Sequence, residues 1–96
     1  MEKLSRFDIA EHGGVLMVVV ESDLLPPDPA IVVIPLLADY PAVRQLNPVI
    51  RHEDQDFVLA TRLIAAVRRS RLRRIGNVAR HGDDITRAVD VLMGGV

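Results

Sequence analysis

Asp8-Ile9-Ala10-Glu11-His12-Gly13-Gly14-Val15-Leu16-Met17-Val18-Val19-Val20 is the stretch on which the fold turns. Apolar and polar residues alternate around Phe7 and Ile9, and then Val15 to Val20 run apolar without a break. Between them His12-Gly13-Gly14 supplies the backbone freedom of a tight hairpin turn, which predicts two paired strands. Downstream, Pro26-Pro27-Asp28-Pro29 offers few ladder donors and predicts a loop, followed by a short strand over Ile31 to Ile34 that Pro35 closes. Between Leu37 and Leu46, Asp39 as a cap and Pro41 at a first-turn position predict a short helical turn. Val49 to Arg51, the polar turn His52 to Gln55, and Phe57 to Ala60 predict a second hairpin. Leu63 to Val67 continues as a strand, although its length also fits a helix.

The last element is the clearest. Ile85, Ala88, Val89, Leu92 and Met93 share one face of a helix, with Asp83 or Asp84 placed to cap its start and Gly94-Gly95 to end it. Several short strands and one terminal helix predict a single domain over 1–96, mainly β: a small SH3-like barrel with a C-terminal α-helix.

Composition bounds the function. Ninety-six residues suffice for one core, and 49% are apolar with Phe7, Tyr40 and Phe57 the only aromatics, so aliphatic packing carries the core and dimerisation would extend it. The absence of cysteine removes disulfides and thiolate chemistry and fits a reducing cytoplasm. No apolar run approaches the roughly 20 residues of a membrane span, and Met1 to Ala10 lacks the pattern of a signal peptide, so a cytoplasmic protein without a membrane partner is expected. Charge is divided, with four basic and ten acidic residues up to Thr61, and eight basic and three acidic from Arg62 onward.

Catalytic groups are sparse. His12, His52 and His81 stand far apart in predicted turns with no metal-ligand spacing, and a surface position is expected for each. Glu53-Asp54-Asp56 lacks the spacing of a calcium loop, and neither glycine pair opens a phosphate-binding helix. No metal or cofactor is expected. Arg68-Arg69-Ser70-Arg71-Leu72-Arg73-Arg74 fits an acidic peptide or nucleic acid, or an edge whose like charges discourage aggregation. The absence of interleaved aromatics argues against a stacking surface for single strands.

Glu21-Ser22-Asp23-Leu24-Leu25, Val33-Ile34-Pro35-Leu36, Asn47-Pro48-Val49, Ile75-Gly76 and Asp84-Ile85 through Ala88 occur in an order and spacing that resemble the CcdB family of toxins from toxin-antitoxin pairs. The resemblance implies a homodimer of small barrels, related in fold to the Kid and MazF ribonucleases. It further implies a non-enzymatic protein that binds the DNA gyrase A subunit and traps the cleaved-DNA complex. A cognate CcdA-like antitoxin would relieve the inhibition, with DNA met only indirectly through the antitoxin complex. Carried over residue by residue, the target contacts are Leu24, Leu25, Asp90, Met93, Gly94, Gly95 and Val96. Arg71, Arg73 and Arg74 are candidates for the antitoxin. The chain departs from the family at Gly94, where the best-known plasmid toxin has tryptophan. Two alternatives follow: a Kid- or MazF-like endoribonuclease, or a homologue that binds antitoxin without poisoning, as a sink or co-repressor.

Overall fold

The computed structural model describes residues 3–94. Seven strands, β1 (Asp8–His12), β2 (Val15–Val19), β3 (Ala30–Leu37), β4 (Val49–His52), β5 (Gln55–Leu59), β6 (Ala65–Arg68) and β7 (Arg73–Asn77), precede one helix, α1 (Gly82–Gly94). All pairings are antiparallel, in the order β4-β5-β3-β2-β1-β7, with β6 also on β3. The sheet curls into a half-barrel that carries the helix, as the sequence predicts.

Gly13 and Gly14 join β1 to β2 at φ of +59° and +80°, the mirror-image turn that suits the twist of a hairpin. The same geometry recurs between β4 and β5, where Glu53 and Asp54 adopt φ of +50° and +63° without the help of glycine.

The unbroken apolar run follows from burial on both faces of the sheet. Ile9, Val18, Ile34 and Leu36 face the helix and pack with Ile50, Leu59, Val78, Ile85 and Ala88. Ala10, Met17, Val19, Ile31 and Val33 point the other way and pack with Leu4 and Leu72. A strand buried on both sides has no polar face to alternate with.

Pro35 does not close β3, which runs on to Leu37. A strand residue's N–H and C=O point to the same side, and the Pro35 carbonyl accepts from Ala60 N at 2.9 Å. The missing donor therefore falls where β6, paired through Val33, gives way to β5, paired from Leu36.

The helical turn expected between Leu37 and Leu46 is replaced by an irregular segment. Its one tight turn is closed by Leu46 N and Asn47 N on the Val43 carbonyl, at 3.1 and 2.9 Å, with Asp39 and Pro41 outside it. Gln45 at φ +68° cannot continue a helix. Leu63 to Val67 likewise divides, with a 3-10 turn at Thr61–Leu63 before β6.

Asp83 and Asp84 lie inside the first turn of α1, where they complement its dipole instead of capping it from outside. A 3-10 turn at Ala79–His81 leads in, and its first N–H, from Ala79, is accepted by Asn77 Oδ1 at 2.8 Å. Ile85 and Ala88 are buried as their spacing predicts, whereas Leu92 is half-buried and Met93 exposed. No helix is long and apolar enough to cross a membrane among the described residues.

Candidate partner-binding surface

Leu24 and Leu25 sit on the loop between β2 and β3, held by short-range bonds: Leu24 N donates to Ser22 Oγ at 3.1 Å and Leu25 N to the Ser22 carbonyl at 3.3 Å. Leu24 is 94% exposed and Leu25 56%. On α1, Thr86, Asp90 and Met93 follow at helical spacing on one stripe. A depression lined by Asp83, Thr86, Arg87 and Asp90 marks the upper part of that stripe, and Met93, 73% exposed, lies at its lower end. Gly94 ends the helix with open space where a Cβ would stand. Gly95 and Val96 lie outside the described residues.

The two halves of this surface meet at Arg6, which the sequence did not single out. Its backbone N–H donates to Asp23 Oδ1 at 2.7 Å, beside Leu24. Its guanidinium donates to Thr86 Oγ1 at 3.0 Å and lies 4.7 Å above the centre of the Phe7 ring. Phe7 takes φ +71°, rare for an aromatic residue. It is held there by its N–H on the Val19 carbonyl at 2.7 Å and by its own carbonyl, which accepts from Val78 N at 2.8 Å. The ring lies so close to Gly82 that a Cβ there would stand 2.9 Å from it, which gives that glycine its reason.

The arginine run is divided among several tasks. Arg69 donates to the Asp28 carbonyl at 3.0 Å and pairs with Glu21 at 3.7 Å, so it ties the loop's two ends together. Arg73 pairs with Glu11 at 3.5 Å across the β1–β7 ladder. Arg74 Nε lies 3.1 Å from Asp8 Oδ2, and the buried Asp8 carboxylate also accepts from Ser5 N at 2.7 Å and Asn77 Nδ2 at 2.9 Å. Arg68 and Arg71 have no ion-pair partner among the described residues. Of the three arginines expected to serve an antitoxin, Arg71 thus remains available and Arg73 and Arg74 hold the fold's first and last strands together.

Of the histidines, His12 is exposed in its turn as expected, but His52 and His81 are not simply surface groups. His52 packs against Gly76 of β7, and His81 Nε2 accepts the N–H of Arg51 on edge strand β4 at 3.3 Å. Arg80 donates to the Arg51 carbonyl, so consecutive residues clasp both backbone groups of one edge residue where the sheet stays open. No three His, Asp or Glu side chains gather as metal ligands would among the described residues.

No curated protein matches the chain. A family model described as CcdB protein matches residues 8–95, from the first residue of β1 past the end of α1. A match over nearly the whole chain, on a curled sheet with one terminal helix, shows that the chain belongs to the CcdB family, toxins of toxin-antitoxin systems.

Proposed function

We propose that the protein acts by binding, as a homodimer that engages the DNA gyrase A subunit, traps it on cleaved DNA and is released by a cognate antitoxin. The observation that carries this reading is the display of Leu24, Leu25 and Met93 to water around a bond network that joins their elements. A fully exposed side chain of this kind contributes about 1.5–3 kcal/mol when buried on a partner; Leu24 keeps almost all of that potential, and Leu25 and Met93 keep more than half of their surface open. Asp90, Gly94, Gly95 and Val96 complete the target surface. Exposed Val15, Val49 and Leu63 leave apolar area for a second copy.

The test is gyrase supercoiling and cleaved-complex formation with purified protein. A Cβ at Gly94 meets nothing within 4 Å, and an aromatic ring introduced by Gly94→Trp is expected to strengthen inhibition by adding buried aromatic area. The absence of an aromatic at this position also favours a second reading, an antitoxin-binding homologue that does not poison. If neither the parent nor Gly94→Trp traps cleaved DNA, that second reading replaces the first.

For the antitoxin, an acidic, disordered tail steered by Arg71 with Arg68 beside it is the chemistry the free charges support. Arg68→Ser with Arg71→Ser is expected to slow association several-fold at low salt and flatten its salt dependence. Stopped-flow rates that do not change would remove these arginines from the antitoxin site. Arg73 and Arg74, given their partners Glu11 and Asp8, enter as lesser contributors.

A further inference from the structure

We propose that Arg6 is a positioning residue that fixes the Leu24-Leu25 loop and the outer stripe of α1 as one surface. The proposal rests on the reading above only for the identity of what that surface binds. Two independent bonds meet in this residue: the loop attaches to its backbone through Asp23, and the helix attaches to its guanidinium through Thr86. The backbone that carries them is held rigidly. Phe7, the next residue, is fixed at its unusual φ by hydrogen bonds on both sides and by its ring against Gly82. The ring in turn supports the guanidinium from below.

Thr86 lies one helical turn before Asp90 and two before Met93, so the bond meets the helix on the stripe that carries the exposed apolar end. Arg69 holds the loop's ends, whereas at its tip, among the described residues, the N–H groups of Leu24 and Leu25 bond to Ser22 within their own turn. Without the Arg6 bridge, a partner would have to order loop and helix relative to each other on binding, and that ordering lowers affinity.

The test compares Arg6→Ala, Thr86→Val and their double variant by affinity for the gyrase A subunit, and Asp23→Ala by 15N order parameters at Leu24 and Leu25. Arg6 is exposed, so all three variants are expected to fold with melting temperatures close to the parent. Each single change is expected to weaken binding about fivefold, the effect of one hydrogen bond. The double variant is expected to bind no worse than either single, as removal of the two ends of one bond requires. The backbone bond from Arg6 to Asp23 survives all three of those changes, so the loop's order is tested by Asp23→Ala, in which the order parameters at Leu24 and Leu25 are expected to fall in the free protein. Binding equal to the parent in the single variants, or full additivity in the double, would overturn the proposal. If the parent itself does not bind gyrase A, the target reading fails and the free Asp23→Ala protein decides alone: lowered order at Leu24 and Leu25 supports the brace, and unchanged order overturns it.

Discussion

Replacing Leu24 and Leu25 together with aspartate is expected to abolish gyrase binding while leaving the fold intact. Both side chains are exposed, so the free protein loses little packing and its melting temperature is expected to stay within about 3 °C of the parent. In a complex the change removes two buried aliphatic side chains, each contributing about 1.5–3 kcal/mol, and drives two carboxylates against apolar surface. Together these amount to at least about a thousandfold in dissociation constant. Calorimetric titration against the gyrase A subunit, paired with thermal denaturation, separates the two quantities. Affinity within threefold of the parent would remove this loop from the target surface.

The second large effect lies in the core. Asn47 is buried, accepts the Val43 N–H through Oδ1 at 2.9 Å, and donates through Nδ2 to the Leu59 carbonyl at 3.0 Å. It ties the irregular segment before β4 to the end of β5, beside the equally buried Thr61, whose hydroxyl donates to the Leu46 carbonyl. Asn47→Asp keeps the shape and the acceptor but turns the donor into an oxygen that faces the Leu59 carbonyl. The expected cost at neutral pH is about 3 kcal/mol, the range for a buried polar group left unmatched and charged. For a domain of this size that lowers the melting temperature by about 12–24 °C. The sign with pH follows from burial: the introduced carboxyl has a raised pKa in the folded state, so its protonated form, which can again donate, is favoured on folding. The deficit relative to the parent is therefore expected to shrink as pH falls toward the ordinary aspartate range near 4. Denaturant unfolding of both proteins across pH 4–7 measures it, and a deficit that does not change with pH would show that the carboxyl escapes to water.

The parts legible in the sequence were those with local causes. The glycine turn after His12, the second hairpin and the first half of the α1 face, at Ile85 and Ala88, each follow from spacing within one element and stand where that spacing puts them, whereas Met93 turns out to water. Errors arose wherever a residue's role depends on a distant strand. Pro35 alone predicts a terminator because it lacks a donor, yet the gap its nitrogen faces exists only once β5 and β6 share one edge of β3. Arg68 to Arg74 read as one basic cluster because their acidic partners, Glu21, Glu11 and Asp8, come from the opposite end of the chain. His52 and His81 read as plain surface groups for the same reason, since their contacts are with β7 and with edge strand β4. The candidate surface itself came from the resemblance to a family, since exposed leucines on a loop leave no periodic signal. Arg6 gave no sign at all, because its role depends on the φ of Phe7 and on a threonine that only the folded chain brings near it.

Burial of β2 on both faces has a consequence for mispairing. In a strand with one polar face, a slip of one residue against its neighbour exposes the whole apolar set, and the hydrophobic pattern itself forbids it. Val15 to Val20 offer no such penalty, because either parity presents aliphatic side chains to either face. The alignment must be pinned by the backbone instead. The two-residue glycine turn sets His12 opposite Val15, and a longer or shorter loop would need different dihedral angles. Pro35, opposite Met17, tolerates only the frame in which its nitrogen meets the seam between two strands. The feature that first looked like punctuation thus acts as a ratchet tooth for β3, and substitutions at Gly13, Gly14 or Pro35 endanger uniqueness of pairing more than the strength of the core.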